Sequence, residues 1–276
     1  MQTWFITGAS SGLGRSLAET VLQAGAQAVL TARDPQVLAP LLQQYPAHAR
    51  AVALDLTDPA SITAAVQAGC ECFGQLDVVV NNAGYGLLAA LEETDDAHLQ
   101  RNLQTNLLGP LQVMRAILPS LRAQGRGHLI SISAIAAFAN HVGFSVYGAA
   151  KAGLEAACEA VAEEVAAFGI KVTVVSPGPF RTEFIGRSLE AVASQPEYQK
   201  TVGKFHQYLQ RIDGRQPGDP QRAAQAIWQI AQTPKPPFRL VLGKYAYDRF
   251  AQKLRSIGQE LEEWKDIGLP TDFPPT

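Results

Sequence analysis

Short apolar runs alternate with longer helix-like ones along most of the chain, and this alternation strongly restricts its fold. The strand-like runs are TWFITG, AQAVLTA, ARAVALD, LDVVVNNAG, GHLISIS and IKVTVVSPG. Helices are predicted over residues 14–23, 36–44, 61–73, 96–124 and 147–168. Runs such as DVVV and VTVV are continuously apolar, as in parallel strands covered on both faces. The pattern predicts an α/β fold, a doubly wound parallel sheet with helices on both faces.

The later part of the chain departs from this alternation. The 276 residues fit one domain, and 47% hydrophobic composition is ample for its core. From about residue 181 the sequence becomes polar and aromatic, and an insertion that covers the substrate is predicted over residues 183–218. The helix PQRAAQAIWQIAQ and the strand FRLVLG follow. The proline-rich end, residues 270–276, is predicted to be a flexible tail.

The charge distribution indicates a small-molecule partner. The chain has 23 basic and 25 acidic residues, a formal net charge of −2, and no run of like charges that would suit nucleic acid or an anionic membrane surface. No stretch approaches the roughly 18 apolar residues of a membrane span, and no leader-like segment precedes the first strand. We therefore expect no membrane span, no nucleic-acid partner and a cytoplasmic location.

The three cysteines include a close pair, Cys70 and Cys72. Their spacing could indicate metal or redox chemistry, but no second cluster of cysteines or histidines accompanies them. Packing on a helix face is the preferred interpretation, and no metal site is predicted.

A glycine-rich segment, TGASSGLG, lies between the first strand and the first helix, with glycines at 8, 12 and 14. Such glycines let the backbone turn sharply and let a pyrophosphate reach the helix N-terminus. The pattern predicts a Rossmann-type dinucleotide-binding domain. At the end of the second strand, Ala32 replaces the usual acid and Arg33 follows it. A guanidinium suits a 2′-phosphate, and the alternative is that Arg33 is a solvated loop charge. Asp55 after the third strand could either cap the next turn or contact adenine.

A lysine stands on what should be a buried helix face. At about 100° per residue, the helix containing FSVYGAAKAGL aligns Tyr147, Lys151, Leu154 and Cys158 along one line. Lysine is almost never buried without a partner, because desolvation of an ammonium costs several kcal/mol. Lys151 is therefore predicted to have a functional role, unless the segment is not helical.

Taken together, these motifs resemble the short-chain dehydrogenase/reductase family, over roughly residues 1–182. The matching features are T-G-x-x-x-G-x-G from Thr7, N-N-A-G from Asn81, the helical Asn106, Y-x-x-x-K at Tyr147 and Lys151, and P-G followed by Thr at Pro177, Gly178 and Thr182. PGPFRTEF and the C-terminal helix are similar to the hydroxysteroid and retinol dehydrogenase-like branch. The resemblance implies an NADP(H)-dependent oxidoreductase that interconverts an alcohol and a ketone or aldehyde.

The resemblance also implies which residues form the site. The expected catalytic residues are Asn106, Ser133, Tyr147 and Lys151. The expected cofactor-binding residues are Gly8, Ser10, Ser11, Gly12, Leu13, Gly14, Arg33, Asp55, Leu56, Asn82, Ala83, Gly84, Tyr147, Lys151, Pro177, Gly178 and Thr182.

Each catalytic residue has an expected role. Lys151 is expected to lower the pKa of the Tyr147 phenol, ordinarily about 10, so that Tyr147 acts as general acid and base. The resemblance also implies that Lys151 binds the nicotinamide ribose. Asn106 is either a buried amide bonded to neighbouring backbone or part of a water-mediated proton relay, and both can hold.

The expected serine is displaced in this chain. Most relatives have a serine where this chain has Ala134, and the neighbouring hydroxyls are Ser133 and Ser131. Strand side chains alternate faces, so Ser131 and Ser133 should point the same way and Ala134 the other. Ser133 is predicted to orient the substrate carbonyl.

Other functions and properties follow less directly from the sequence. The alternative function is a catalytically weak NADP(H)-binding redox sensor or interaction module, with Ala134 as the sign of lost catalysis. A sugar-nucleotide epimerase or dehydratase ranks last, because its glycine motif is spaced differently. The resemblance also implies a homodimer or homotetramer that forms through the outer faces of the 96–124 and 147–168 helices.

Aromatic and histidine residues suggest a sizeable apolar substrate, although core packing or lid docking would explain them equally well. Those considered as pocket lining are Phe138, His141, Phe144, Phe180, Phe184, Phe205, His206 and Tyr208.

Overall fold

The computed structural model describes residues 1–273, which form nine strands and eleven α-helices. The strands are β1 (Thr3–Ile6), β2 (Gln27–Ala32), β3 (Ala49–Ala53), β4 (Val78–Asn81), β5 (Gly86–Leu88), β6 (Gly127–Ile132), β7 (Ile170–Pro177), β8 (Leu189–Ala191) and β9 (Arg239–Leu242). The helices are α1 (Gly12–Gln23), α2 (Ala39–Gln44), α3 (Pro59–Phe73), α4 (Asp96–Leu103), α5 (Gly109–Gln124), α6 (Ser145–Val165), α7 (Phe184–Arg187), α8 (Lys204–Ile212), α9 (Pro220–Gln232), α10 (Lys244–Glu263) and α11 (Lys265–Gly268).

Seven strands form one parallel sheet in the order β3-β2-β1-β4-β6-β7-β9. The chain leaves β1 towards β2 and β3 on one side, then crosses to β4 on the other side of β1. Ligands of such sheets bind where the order reverses, outside the carboxyl ends of the strands. The predicted doubly wound α/β fold is confirmed.

Apolar side chains cover both faces of the sheet. Trp4 and Phe5 are neighbours in β1, yet they belong to separate buried clusters because successive strand residues face opposite ways. The Trp4 cluster includes residues of α1, α2 and α9, and the Phe5 cluster includes residues of α3, α5 and α6. Burial on both faces explains why β4 and β7 are continuously apolar in sequence.

The predicted helix over 96–124 is wrong as a continuous α-helix. A π-helical turn, Gln104–Leu108, separates α4 from α5 and carries the buried Asn106. Single π turns inside helices are frequent at functional sites because they redirect individual side chains. The sequence periodicity gives no signal for the extra residue in this turn.

The predicted insertion over residues 183–218 has secondary structure of its own. It contains α7, β8, a 3₁₀ turn, a second π-helical turn at Gln199–Gly203, and α8. β8 pairs in parallel with β5, outside the main sheet. Apolar residues of the segment pack with Leu88, Phe144 and Tyr147 in one cluster. The segment therefore lies over the carboxyl end of the sheet, and we call it the lid.

The C-terminal end and the cysteines complete the description. Leu269–Thr271 forms a 3₁₀ turn, and residues 274–276 of the predicted flexible tail lie outside the described residues. No helix within residues 1–273 is long and apolar enough to span a bilayer.

Cys70 and Cys72 lie on α3 and pack against the core, and burial raises the pKa of both thiols. The described residues contain no group of three potential metal ligands.

His128 couples the stability of the sheet to pH. Its Nε2 lies 2.9 Å from Thr173 Oγ1, whose hydroxyl donates to the Pro237 carbonyl, so Nε2 must carry the ring hydrogen. Nδ1 is buried without a partner among the described residues, so a second proton would find no acceptor. Burial, with a smaller effect of Lys171, lowers the pKa of His128 from 6.5 to about 4.

We predict that His128 makes the fold less stable in mild acid. Because the pKa is lower in the folded state, its contribution is complete above pH 6.5 and is lost as the pH falls towards 4. The loss should reach about 3 kcal/mol at most. Urea unfolding from pH 7 to 4 measures it, and His128→Gln should flatten that dependence. An unchanged acid dependence in the variant would contradict this assignment.

Candidate functional site

One cavity of about 860 Å³ lies at the carboxyl ends of the strands. It is lined by all of the predicted site residues except Gly14. The residues come from the ends of β1 to β4, from β6, α6, β7 and the π-helical turn, and the lid closes one side. Widely separated segments of sequence thus contribute to one cavity.

The floor of the cavity is fixed by Thr7 and Asn82. Thr7 Oγ1 accepts hydrogen bonds from the backbone N–H groups of Asn82 and Ala83, at 2.9 and 3.0 Å, and donates to the Val80 carbonyl. Asn82 Nδ2 in turn donates to the carbonyls of Thr7 and Gly8, at 2.9 and 3.1 Å. These bonds tie the turn after β1 to the turn after β4.

Gly14 supports the floor from beneath instead of lining it. A Cβ on Gly14 would collide with the Gly8 carbonyl oxygen and with Asn82 Nδ2. Gly14 does not line the cavity, and its predicted part in cofactor binding stays a prediction. The glycine lets α1 pack closely against the floor, and α1 begins at Gly12 instead of the predicted residue 14. Ser11, the N-cap of α1, makes no side-chain cap bond to the first N–H groups of the helix. Ser11 and Gly12 line the cavity, so the N-terminus of α1 lies at the cavity.

Arg33 and Asp55 lie at the far end of the cavity. Arg33 is exposed and follows the buried Ala32 at the end of β2. The Asp55 carboxylate accepts from the N–H and the hydroxyl of Thr57, at 2.8 and 2.7 Å, and these bonds lower its pKa, with a smaller contribution from Arg33. Of the two roles considered for Asp55, the turn-capping one is present, and the residue also lines the cavity.

Tyr147 and Lys151 lie one turn apart on the buried face of α6, and only 6% and 4% of their surfaces are exposed. Lys151 Nζ donates to the Ile132 carbonyl at 2.9 Å. Burial lowers the pKa of Lys151 from 10.5 to about 8, against the opposite effects of Glu155 and Cys158. The ammonium therefore has a backbone partner at the end of β6.

The expected lowering of the Tyr147 pKa is not what this structure shows. Burial raises the pKa of the Tyr147 phenol above its ordinary value. The Lys151 ammonium donates to the Ile132 carbonyl, and the upward shift of the Tyr147 pKa comes from burial. The phenol consequently keeps its proton well above neutral pH.

Asn106 holds the turn that follows β4. Its Nδ2 donates to the carbonyls of Tyr85 and Asn102, at 2.9 and 3.2 Å, and its Oδ1 accepts from the Tyr85 N–H at 3.3 Å. A Cβ on Gly84 would lie 2.5 Å from Asn106 Oδ1 and 3.3 Å from Lys151 Nζ. Of the two roles considered for Asn106, the structure shows the amide bonded to neighbouring backbone. Because Gly84 has no side chain, there is room between the Asn106 amide and the Lys151 ammonium.

Ser131 and Ser133 have different surroundings. Ser131 Oγ is buried and accepts from the Cys158 thiol at 3.4 Å. Ser133 lies just beyond β6 and lines the cavity, and its Oγ has no partner among the described residues. A buried hydroxyl without a partner is unusual and calls for an explanation. Of the two serines, Ser133 is the one placed to meet a bound molecule.

A buried ion pair lies one turn beyond Lys151. Glu155 is 6% exposed, and its two oxygens accept from Ser176 Oγ at 3.1 Å and from Arg239 Nη1. The Arg239 guanidinium also lies over the Phe238 and Phe250 rings. Charged groups are retained in such positions only when they are paired and hydrogen-bonded. The pair ties α6 to β7 and β9 directly below the site.

Ion pairs also connect the lid to α4. Glu190 in β8 accepts from Arg101 at 2.5 Å and lies 3.2 Å from His98 Nε2. Arg101 Nε also donates to the Tyr85 hydroxyl at 3.4 Å. Arg101, Tyr85 and Glu190 line the cavity, so a polar edge lies beside the lid.

The substrate side of the cavity is mainly aromatic. Phe144 contacts the Tyr147 ring edge-on at 5.4 Å, and Phe184 lies 6.1 Å from it. Six of the eight residues considered from the sequence line the cavity: His141, Phe144, Phe180, Phe184, Phe205 and Tyr208. Phe138 instead stacks on Phe250 at 4.4 Å, and His206 does not line the cavity.

Tyr245 is a cavity residue that the sequence did not indicate. Its hydroxyl lies 3.2 Å from His141 Nε2, and both residues line the cavity. Tyr245 is the second residue of α10, three residues beyond the end of β9, so the rule that ligands bind at the carboxyl ends of strands could have identified it. No other feature of the sequence pointed to Tyr245, since the long C-terminal helix was not associated with the site.

Comparison with known proteins agrees with this geometry. The short chain dehydrogenase family model matches residues 2–193. The chain is 36% identical over 267 residues to Oxidoreductase BOA17 of Botryotinia fuckeliana, covering 96% of this chain and 97% of that protein. It is 36% identical over 199 residues to Dehydrogenase/reductase SDR family member 7B of Bos taurus, covering 68% of this chain and 60% of that protein.

A solved structure shares the entire fold. It is a short-chain dehydrogenase from Streptomyces avermitilis, with a TM-score of 0.93, 40% sequence identity, and coverage of 99% of this chain and 100% of that one. The chain therefore belongs to the short-chain dehydrogenase/reductase family and is an oxidoreductase of that family.

We predict that Glu155→Gln destabilises the fold by about 2 kcal/mol, because it leaves the half-buried Arg239 guanidinium without its carboxylate. Glu159→Gln, one turn further along the exposed side of α6, should change stability by less than about 0.5 kcal/mol. Urea unfolding at neutral pH compares the two variants. Equal small effects would show that the buried pair contributes little.

Proposed function

We propose that the protein interconverts an alcohol and a ketone or aldehyde with NADP(H), with Tyr147 as the general acid and base. One observation carries this proposal. The unpartnered Ser133 hydroxyl, the Tyr147 phenol and the Lys151 ammonium line the same cavity as the glycine-rich turn and Arg33. The cavity thus combines a place for a phosphate-bearing cofactor with a hydroxyl pair suited to a carbonyl oxygen.

The residues present fit a nicotinamide dinucleotide. The uncapped N-terminus of α1 offers N–H groups to a pyrophosphate, and the floor formed by Thr7, Asn82 and Gly14 brings the backbone close. Arg33 is available at the adenosine end for a 2′-phosphate, where Ala32 offers no carboxylate to a ribose hydroxyl. Lys151 has further N–H donors for the nicotinamide ribose.

When bound, the cofactor supplies or accepts the hydride. The chain's own residues orient the substrate oxygen and move its proton. Ser133 would donate to that oxygen, and Tyr147 would transfer the proton between its phenolic oxygen and the substrate. Because burial raises the pKa of Tyr147, the phenol is protonated near neutral pH and suited to donate during carbonyl reduction. Lys151, one turn away, would stabilise the phenolate left behind.

The lining favours a sizeable, largely apolar substrate. Phe144, Phe184 and Phe205 enclose the space beside Tyr147, and apolar lid residues extend this wall. The polar edge of Arg101 and Glu190 lies at the lid. The cofactor-binding sensor was considered because of Ala134, and the position of Ser133 favours an enzyme instead.

A homodimer or homotetramer is part of the same proposal. The outer faces of α4, α5 and α6 remain the proposed contact, and the run of small residues in α6 would let two helices approach closely. The molar mass in solution tests it, and a monomer at micromolar concentration would overturn it.

We predict that Tyr147→Phe lowers turnover about a thousandfold while NADPH affinity changes less than about twofold, since only the proton donor is lost. Lys151→Met should weaken both, because it removes the cation and the proposed ribose contact. Steady-state kinetics and fluorescence titration separate the two effects. Tyr45→Phe, outside the cavity, is the control and should be fully active. Full activity of Tyr147→Phe would exclude Tyr147 as the acid.

We predict that Ser133→Ala lowers turnover about 100- to 1000-fold, the loss typical of one preorganised donor. Ser131→Ala is the matched control, because its hydroxyl bonds Cys158 away from the cavity. Turnover at saturating NADPH compares them. If Ser131→Ala proved the more damaging variant, the role would pass to Ser131.

We predict that NADPH binds at least about tenfold more tightly than NADH, because Arg33 offers the 2′-phosphate a charge-assisted partner. Arg33→Ala should remove most of the preference, and Ala32→Asp with Arg33→Ile should tilt it towards NADH. Arg222→Ala, on α9 outside the cavity, controls for loss of a surface charge. Equal affinities of the wild-type protein for both cofactors would refute the NADP assignment.

A further inference from the structure

Two polar groups face each other on the aromatic side of the cavity. The Tyr245 hydroxyl lies 3.2 Å from His141 Nε2, and both side chains are half-buried and line the cavity. Hydrogen-bonding groups in a mainly apolar cavity fix the orientation of a ligand. The proton transfer proposed for Tyr147 gives these two groups no role.

A series of ring contacts places the two groups away from the reacting phenol. The Tyr147 ring contacts Phe144 at 5.4 Å between ring centres, and Phe144 contacts Phe205 at 5.5 Å. Phe205 stacks on His141 at 5.4 Å, and Tyr245 lies beyond His141 at 6.2 Å. We call His141 and Tyr245 the distal pair. A ligand that lies along these rings with one end at Tyr147 can reach the distal pair with its other end.

Hydrogen bonds within the turn before α6 hold His141 in place. Its N–H donates to Asn140 Oδ1 at 2.8 Å, and its carbonyl accepts from the Phe144 N–H at 3.1 Å. Asn140 Nδ2 donates to the Phe144 carbonyl at 3.2 Å. A Cβ on Gly148 would lie 2.2 Å from Asn140 Nδ2, so the Asn140 side chain packs directly against α6. The imidazole is thus positioned before any ligand binds.

Tyr245 is held from α10. Arg249, one turn further along this helix, donates from Nη2 to the carbonyls of Ala139 and Asn140, at 3.4 and 3.2 Å. These bonds already join α10 to the turn that carries His141. The connection between the two segments therefore does not depend on the distal pair alone.

Both members of the distal pair are uncharged near neutral pH. Burial lowers the pKa of His141, and Arg249 lowers it further. Burial raises the pKa of Tyr245, against a smaller opposite effect of Arg249.

The hydrogen bond of the distal pair has two arrangements. When Tyr245 donates to Nε2, its phenolic oxygen can still accept from a ligand. When Nε2 carries the hydrogen and donates to the phenolic oxygen, the Tyr245 hydroxyl can donate to a ligand. The pair therefore suits an uncharged oxygen, such as a hydroxyl or a carbonyl.

A carboxylate fits this end of the cavity less well. Arg249 does not line the cavity, and its Nη2 is bonded to backbone carbonyls. Arg101 and Arg187 do line the cavity, but each is paired with a glutamate. A carboxylate at the distal pair would have to be desolvated without a free cation beside it.

We propose that His141 and Tyr245 recognise a second, uncharged oxygen of the substrate, at the end opposite the group that reacts. The inference rests on the proposed function, because it places the reacting group at Tyr147. The substrate class is then a ketone or aldehyde, or the corresponding alcohol, whose apolar skeleton carries a distant hydroxyl or carbonyl. The distal pair determines specificity and transfers no proton in the reaction.

A series of ketones of increasing length tests the proposal. NADPH oxidation is measured with 2-alkanones of about six to twelve carbons, which a cavity of this size can hold, and with the same ketones carrying a terminal hydroxyl. At the matching length the hydroxyl should raise kcat/KM at least about tenfold, because the plain alkanone leaves the distal pair without its ligand partner. The ratio of the two kcat/KM values is taken within each variant, so it does not depend on overall activity.

Tyr245→Phe and His141→Phe keep the rings and remove the hydrogen-bonding groups. Each should bring the ratio to about one, and the double variant should do no more, since the two groups act as a unit. Tyr247→Phe is the matched control, because Tyr247 lies on the same helix, is 60% exposed and does not line the cavity. Thermal unfolding is compared for all variants, because a purely structural bond would change stability without changing the ratio.

Calorimetric titration of the same ketones separates this proposal from the proposed function. If the ketones are reduced but the hydroxyl gives no preference at any length, or Tyr245→Phe keeps the preference, the inference is overturned and the function stands. A preference for a terminal carboxylate would overturn the uncharged class. If no ketone is reduced, yet the hydroxyketone binds more tightly and Tyr245→Phe abolishes the difference, the reaction is refuted and the recognition site is supported. Equal binding without turnover would overturn both.

Discussion

The buried ammonium of Lys151 is the interaction on which the site depends. Its bond to the Ile132 carbonyl ties α6 to the end of β6, and Glu155 one turn away supplies the nearest buried negative charge. Gly84 must lack a side chain so that the lysine and Asn106 can both face the cavity. Burial makes the charged lysine costly to maintain, so each of these contacts also contributes to keeping Lys151 in place.

The same desolvation acts on both members of the Tyr147 and Lys151 pair, in opposite directions. It favours the neutral phenol and the neutral amine, raising the pKa of Tyr147 and lowering that of Lys151. In the proposed reaction, the protonated Tyr147 phenol would donate to the carbonyl oxygen, and the Lys151 ammonium would stabilise the phenolate. The lid, linked to α4 by the ion pair of Glu190 and Arg101, lies beside the cavity that both residues line.

The sequence predicted the sheet and most of the cavity because strand ends and motif spacing are local features. The parallel strand order then brings Arg33, Asp55, Asn82 and Ser133 to one edge without further information. The sequence could not predict features that depend on one extra residue in a helix or on contacts between side chains. The π-helical turn at Asn106, the stacking of Phe138 on Phe250, and the bond from Lys151 to Ile132 are of this kind. Periodicity also could not show that Ser131 accepts a hydrogen bond from Cys158, while the Ser133 hydroxyl has no partner among the described residues.

Titration of the Lys151 ammonium by NMR tests the central claim most directly. Protein with ¹⁵N-labelled lysine side chains would be followed between pH 6 and 11, with Lys151→Met identifying the signal. Lys151 should titrate at about 8, because it is held in a dehydrated site beside Tyr147. A value at or above the ordinary 10.5 would show that burial does not dominate the pKa of Lys151, and would contradict the account of a desolvated lysine at the site.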